Sequence, residues 1–181
     1  DVAVTETATS FVNERQKVKI SLEKVLEQNE TFGIGKNDKI KNISFGLYAK
    51  EDIVSSSGTV IPADGLIEII TLDENGTATA NTDLPFGSYY IKEIATDEHY
   101  ILSDTQYPFT FEYAGQDTET VEIKVNDGKP IENKLIYGSV SGKKIDENGE
   151  ALEGAVIGIF KAEETEFTKD TACLLYTSPS P

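Results

Sequence analysis

The sequence predicts an all-β protein, an antiparallel β-sandwich. Apolar and polar residues alternate with a period of two in several short runs, as they do in strands that bury one face. Turn-forming residues separate these runs at intervals of about 8–12 residues, a spacing typical of sandwiches and barrels. No stretch has the apolar spacing of an amphipathic helix of any length. Together these observations indicate strands joined by turns.

Each predicted strand follows from its own alternation. In the first, Val18, Ile20 and Leu22 share one face and alternate with polar residues on the other. Asn-Gly, Pro and Gly between the runs supply the backbone angles that reverse a chain. The remaining predicted strands are 43–48, 66–72, 88–95, 109–113 and 121–125, and the predicted turns are 73–76, 85–87, 114–115 and 126–128.

An internal repeat organises the chain. Asn13 precedes Lys24 by 11 positions (24 − 13), and Asn133 precedes Lys144 by the same 11 (144 − 133). The two asparagines are 120 positions apart (133 − 13), a plausible length for one module. We therefore expect tandem modules, with the first asparagine closing one module and the second lysine opening another.

The repeat divides the chain into four segments. Residues 1–15 are expected to be the last strand of a preceding module, 16–137 a complete module, and 138–172 the truncated start of a following one. Residues 173–181 do not continue the pattern and resemble translated sequencing-adapter sequence, so we expect a non-native tail.

Composition excludes several classes of function. The chain has 181 residues, 38% of them hydrophobic, and a net charge of −16, which argues against binding to nucleic acid or to an anionic membrane. The single cysteine, Cys173, allows neither an internal disulfide nor a cysteine-ligated zinc site. The single histidine, His99, offers no basis for a zinc site or a catalytic triad and is expected in a loop. The sequence Asp-Glu-Asn-Gly occurs twice but lacks the ligand spacing of a calcium loop, so it predicts hairpin turns, and no metal or cofactor is expected.

Three polar residues fall on inward faces of predicted strands. Alternation places Lys24 after Leu22 and places Glu93 two positions after Ile91, while Asn133 continues the face of the final strand. Burial of an isolated charge is costly, so we expect a lowered pKa for the lysine and a raised pKa for the glutamate. A neutral amine can attack the side-chain amide, and a neutral carboxylic acid can polarise its carbonyl and carry protons. The three residues thus have the chemistry needed to form an isopeptide bond with loss of ammonia.

Two segments carry a resemblance to a known family. Residues 84–93, LPFGSYYIKE, resemble the L-P-x-G-x-Y-x-x-x-E segment of Cna protein B-type (SpaA-like, prealbumin-like) domains of Gram-positive surface proteins and pilins. Lys144-Ile145-Asp146 and the following 152–155, LEGA, are similar to the opening of such a domain. The resemblance implies a Greek-key β-sandwich with a Lys–Asn isopeptide bond assisted by an acidic residue.

The resemblance also assigns roles. It implies a crosslink between Lys24 and Asn133 with Glu93 as the proton shuttle, while Asn13 and Lys144 belong to the crosslinks of neighbouring modules. After the lysine, a long polar stretch, 27–42, replaces the short acidic turn usual in the family. This departure leaves Lys19 and Lys17 as alternative crosslinking lysines, although the spacing of 11 favours Lys24.

The expected function is mechanical. We interpret the chain as a stalk module of a cell-wall-anchored adhesin or pilin-like protein outside a Gram-positive cell, joined to adjacent modules of its own chain. It is not an enzyme with turnover, because the crosslinking reaction consumes its own residues once. The alternative is an adhesin domain that binds a host matrix protein or glycan through residues 27–42 or the serine-rich loop at 55–58.

Overall fold

The computed structural model describes residues 15–35, 38–54, 58 and 60–177. Within these residues the elements are strands and two short 3-10 helices, Asp38–Asn42 and Val125–Gly128. The strands are β1 (Lys17–Leu26), β2 (Ser44–Ala49), β3 (Ile53–Val54), β4 (Val60–Ile61), β5 (Leu66–Thr71), β6 (Thr77–Thr79), β7 (Gly87–Ala95), β8 (Gln106–Phe111), β9 (Thr120–Lys124), β10 (Ile131–Asn133), β11 (Val156–Ile159) and β12 (Leu174–Thr177). The prediction of an all-β protein with antiparallel sheets is confirmed.

Two four-stranded sheets form the main body. One has the order β5-β2-β7-β8 and is antiparallel throughout. In the other, β1 pairs antiparallel with β6 and parallel with both β9 and β10. The two parallel strands meet different halves of β1, Lys17 to Ser21 and Lys24 to Leu26, because the 3-10 helix between them shifts the chain along that strand.

The core lies between these sheets, where alternation brings apolar side chains together. Phe45, Leu47 and Ile91 of the antiparallel sheet are fully buried, and Ile20 and Ile131 of the mixed sheet are nearly so. Burial of such side chains stabilises the fold by roughly 1.5–3 kcal/mol each. The core therefore fixes which residues of β1, β7 and β10 face inward.

β8 and β12 depart from what the sequence predicts. The strand predicted at 109–113 begins three residues earlier, because Pro108 is tolerated on β8, which is an edge strand. Residues 174–177, which the sequence analysis assigns to a non-native tail, form β12 and pair with β11. The origin of that tail stays a prediction.

In the described part of the chain, no helix is long and apolar enough to cross a membrane.

Candidate functional site

The candidate site is built from three strands of the two sheets. β1 and β10 run parallel, with Lys24 opposite Ile131 and Leu26 opposite Asn133. Glu93 lies on β7 in the other sheet. Because side chains of a strand alternate between faces, each of the three polar residues points into the space between the sheets.

Lys24, Glu93 and Asn133 are each about 1% exposed. The Lys24 Nζ atom lies 3.5 Å from Glu93 Oε1. Asn133 Nδ2 donates to Glu93 Oε1 at 2.8 Å and to Oε2 at 3.0 Å. The backbone N–H of Ser103 donates to Oε2 at 3.0 Å and so helps to hold the carboxyl group between the lysine and the asparagine.

Two buried polar atoms at this site have no hydrogen-bond partner. They are Lys24 Nζ and Asn133 Oδ1, since the lysine–glutamate contact is an ion pair without hydrogen-bond geometry. An unsatisfied buried polar group costs about 1–3 kcal/mol, and more when it is charged. The attacking amine and the carboxamide oxygen of the predicted crosslink are therefore both buried without a hydrogen-bond partner among the described residues.

Burial lowers the pKa of the Lys24 amine, and the neighbouring Glu93 carboxylate offsets part of this effect. The amine therefore reaches its neutral, nucleophilic form at a lower pH than an ordinary lysine does. The acid beside it contacts both the amine and the amide, the arrangement needed to move a proton from one nitrogen to the other.

The other candidate residues are placed differently. Lys17 and Lys19 lie on the opposite face of β1 and are exposed, so of the three lysines considered only Lys24 faces inward. Lys144 is exposed on the segment that follows the sandwich. Asn13 lies outside the described residues.

Sequence reasoning missed a second polar cluster next to this site. We call it the Asp97 cluster, made of Lys39, Asn42, Asp97 and His99. The carboxylate of Asp97 accepts from Lys39 Nζ at 3.2 Å, from Asn42 Nδ2 at 3.0 Å and from His99 Nδ1 at 2.6 Å. Burial would raise the pKa of Asp97, but the hydrogen bonds from His99, Asn42 and Lys39 outweigh it and hold that pKa far below its usual range.

The Asp97 cluster anchors the polar stretch 27–42 to the sandwich. Tyr100 adds a hydrogen bond from its hydroxyl to the backbone carbonyl of Glu27 at 2.9 Å. The Glu27 carboxylate in turn accepts from Leu135 N at 2.9 Å and from the Tyr137 hydroxyl at 3.1 Å. The start of this stretch, at Glu27, and its end, at Lys39 and Asn42, are thus both tied to the sandwich.

The two Asp-Glu-Asn-Gly sequences form turns, as predicted. Asp73 Oδ1 accepts from the backbone N–H groups of Asn75 and Thr77, both at 2.9 Å, and Asp146 Oδ1 accepts equivalent bonds from Asn148 and Glu150. Within the described ranges, no group of three or more histidine, cysteine, aspartate or glutamate side chains is placed to hold a metal ion.

Three solved structures illustrate what the chain is similar to. The Bacillus anthracis TIE protein is 19% identical, with 86% of this chain and 25% of that chain covered and a TM-score of 0.48. A minor pilin of Streptococcus agalactiae is 20% identical, with 71% and 49% covered and a TM-score of 0.42. A streptococcal ancillary pilin is 21% identical, with 92% and 48% covered and a TM-score of 0.39. The chain spans between a quarter and a half of the length of these proteins.

The family comparison covers more than half of the chain. Among curated proteins none matches the chain significantly in sequence. The model of the SpaA family, described as a prealbumin-like fold domain, matches residues 28–129. This range includes Glu93, whereas Lys24 lies shortly before it and Asn133 shortly after it. The fold prediction and the family resemblance are therefore confirmed: the chain belongs to the SpaA family of prealbumin-like fold domains.

Proposed function

We propose that this chain is a stalk module of a Gram-positive surface protein, of the pilin or adhesin-shaft type, and that an isopeptide bond joins Lys24 to Asn133. The observation that carries the proposal is the burial of an amine, a carboxyl group and a carboxamide, with the carboxyl group in contact with both of the others and with two of the polar atoms unsatisfied. An ordinary core would not keep three such groups, because each costs free energy to bury. The resemblance of residues 84–93 to Cna B-type domains supports the same conclusion.

The reaction balances within the three residues. The neutral Lys24 amine attacks Cγ of Asn133 and forms the new C–N bond. A proton passes from Lys24 Nζ to Glu93 and from Glu93 to Nδ2 of the asparagine, whose bond to Cγ then breaks. Ammonia leaves, Glu93 returns to its starting state, and the reaction occurs once per molecule.

The crosslink would join the first and last strands of the sandwich. The two residues are 109 positions apart (133 − 24). By the chain-entropy model used for disulfides, closing a loop of about 100 residues stabilises a fold by about 4–5 kcal/mol. Because β1 and β10 are parallel, pulling the chain at residue 15 and beyond residue 137 would shear their pairing, and the bond would carry that force. The strands between positions 24 and 133 would be shielded from extension.

The proposed role implies a place and a set of partners. A module of this kind works outside the cell, at the cell wall, in series with adjacent modules of its own chain. The bond would also resist reducing agents and those proteases that need an opened fold, since neither acts on a buried amide.

Intact-mass measurement of the full chain tests the proposal. We expect the wild-type protein to be lighter than its calculated mass by one ammonia, and Lys24→Ala and Glu93→Gln to have their full calculated masses. Lys19→Ala is the matched control, because it removes an exposed lysine from the same strand, and it should still lose ammonia. Fragment masses should then join the peptide that contains residue 24 to the peptide that contains residue 133.

The opposite results are equally clear. Full mass in the wild-type protein would overturn the crosslink and leave an unstapled β-sandwich, whose binding to matrix proteins would then be the function to test. Loss of ammonia from Lys24→Ala but not from Lys19→Ala would move the bond to the exposed lysine and contradict the proposed site.

A further inference from the structure

The hydroxyl of Thr96 adds a third oxygen around the side-chain nitrogen of Asn133. This residue follows the end of β7, and its Oγ1 atom accepts from Asn133 Nδ2 at 3.0 Å. The two carboxylate oxygens of Glu93 lie at 2.8 and 3.0 Å from the same nitrogen. An NH₂ group has two hydrogens, so one can be directed to the carboxylate and the other to the hydroxyl.

This arrangement orients the carboxamide. The nitrogen faces Glu93 and Thr96, and the oxygen is left as the buried atom without a partner. With only the carboxylate as acceptor, one hydrogen of the NH₂ group would be unsatisfied and the group could turn about its Cβ–Cγ bond. With both acceptors present, the leaving nitrogen stays beside the acid that must protonate it.

We propose that Thr96 is a further residue of the crosslinking reaction, which holds the leaving nitrogen of Asn133 next to Glu93 while Lys24 attacks. The inference rests on the proposed isopeptide bond and extends it to a residue outside the family motif quoted above. Thr96 transfers no proton in this step. The proton still passes from Lys24 Nζ through Glu93 to Nδ2, the Cγ–Nδ2 bond breaks, and ammonia leaves.

The effect of removing the hydroxyl should be kinetic. The reacting groups would remain in the core, but fewer molecules at any moment would hold the amide in the reactive orientation. Small misplacements of reacting groups cost up to about a hundredfold in rate, so a slowing of about tenfold or more is expected.

The test follows crosslinking in newly made full-length chain. Protein is produced by cell-free translation, samples are quenched in acid at intervals, and intact mass gives the fraction that has lost ammonia. The variants are Thr96→Val, which removes the hydroxyl at nearly constant volume, and Thr96→Ser, which keeps it. Thr110→Val is the control, since that threonine is exposed on β8, away from the site.

We expect Thr96→Val to lose ammonia about tenfold or more slowly than wild type, and Thr96→Ser and Thr110→Val to keep pace with it. If wild type reacts and Thr96→Val reacts as fast, the Thr96 inference is overturned and the crosslink stands. A serine variant as slow as the valine variant would also overturn it, because the hydroxyl would then not be the cause. If wild type itself keeps full mass, the crosslink fails and the inference about Thr96 falls with it.

A second measurement separates orientation from folding. In Lys24→Ala, which cannot react, NMR can follow hydrogen exchange of the Asn133 side-chain NH₂ group with and without Thr96→Val. Faster exchange in the double variant, with an otherwise unchanged dispersed spectrum, supports the inference, and unchanged exchange contradicts it. Thr96→Ala takes the place of the valine variant if the latter does not give a dispersed spectrum.

Discussion

Lys24 and Lys144 stand at equivalent positions of the sequence repeat but in different surroundings. Lys24 is about 1% exposed, whereas Lys144 is exposed. The first lies on a strand that pairs on both edges, with β6 on one side and with β9 and β10 on the other. The second lies in a segment whose strands, in the described part of the chain, are β11 and β12, paired with each other. A lysine at this position of the repeat is buried only where strands from distant parts of the sequence surround it.

The two Asp-Glu-Asn-Gly turns show the opposite behaviour. Asp73 and Asp146 accept hydrogen bonds from the backbone N–H groups two and four residues ahead, although one turn joins sandwich strands and the other does not. These bonds are made by neighbours in the sequence and need no distant strand. The four-residue turn sequence therefore gives the same local geometry in both places, whereas the repeated lysine gives a buried site in only one of them.

Substitution of Lys24 and of Lys144 should give the largest difference between these two regions in the free energy of unfolding. Lys24→Ala is expected to lower the free energy of unfolding by about 4–5 kcal/mol, because it removes a crosslink that closes a loop of about 100 residues. Lys144→Ala is expected to leave it unchanged, since that side chain is exposed. Denaturant unfolding of the full chain measures both values.

Glu93→Gln serves as a control for loss of the lysine side chain itself. It keeps the amine but should also lack the bond, so most of the lost stability should appear in this variant too. Equal stability of Lys24→Ala and wild type would contradict the crosslink.

The second prediction concerns the Asp97 cluster. Among the described residues after position 138 there is no similar cluster. Asp97→Ala should lower the free energy of unfolding by about 1–3 kcal/mol, because it removes the buried acceptor that the partly buried Lys39 shares with Asn42. It should also release the stretch 27–42, which limited proteolysis would detect as faster cleavage there. Lys41→Ala is the matched control, because its partner Glu74 forms an exposed ion pair.

Unchanged proteolysis in Asp97→Ala would mean that the Tyr100 and Glu27 contacts hold the stretch without the cluster.

The sequence predicted the parts of the fold that depend on alternation. Period-two runs located β2, β5, β7 and β9 to within one residue at each end and identified the first part of the longer β1. The same alternation selected Lys24, Glu93 and Asn133 as inward-facing, and the structure buries all three. Alternation decides which face a side chain occupies, so a polar residue on an apolar face can be recognised from the sequence alone.

The remaining features depend on contacts between distant residues. The strands β3 and β4 have two residues each, too few to show a period. The parallel pairing of β1 with β9 and β10 follows from chain topology, which alternation does not encode. The Asp97 cluster joins a 3-10 helix to a loop 55–60 positions away, and none of its members lies on a strand. Thr96 was missed for the same reason, because it lies just past the end of β7.

The third prediction uses pH to examine the buried lysine before it reacts. In Asn133→Ala, Lys24 keeps its amine, and burial lowers its pKa in the folded state below the ordinary value of 10.5. Between these two pKa values the unfolded chain binds the extra proton, so stability should rise with pH in that window, by at most about 1.4 kcal/mol per pH unit. Below the lowered pKa, both states are protonated and stability no longer depends on this group.

Urea unfolding of Asn133→Ala at several alkaline pH values, beside Asn133→Ala with Lys24→Met, isolates the contribution of Lys24. The double variant should lack the rise. Tyr89 and Tyr90, whose pKa values burial raises to about 12, oppose the rise above pH 10 in both proteins and cancel in the comparison. The matched control is Lys144→Met in Asn133→Ala, which removes an exposed lysine and should keep the rise in stability with pH. Loss of the rise in this control as well would contradict its assignment to Lys24.

The smallest effect on stability should come from the two Asp-Glu-Asn-Gly turns. Substitutions there test whether turns of the same geometry contribute equally to the thermal stability of the sandwich. Asp73→Ala removes the acceptor for the backbone N–H groups of Asn75 and Thr77 and for the Thr77 hydroxyl, at the turn that leads into β6. Because β6 pairs with β1, a looser turn should slightly lower the midpoint of the sandwich's thermal transition. Asp146→Ala removes the matching acceptor in a segment outside that sandwich and should leave the midpoint unchanged. Circular dichroism measures both midpoints. A shift of the same size in both variants would mean that the segment after residue 138 unfolds together with the sandwich. The different burial of Lys24 and Lys144 could then not be explained by the two lysines lying in separately folded regions.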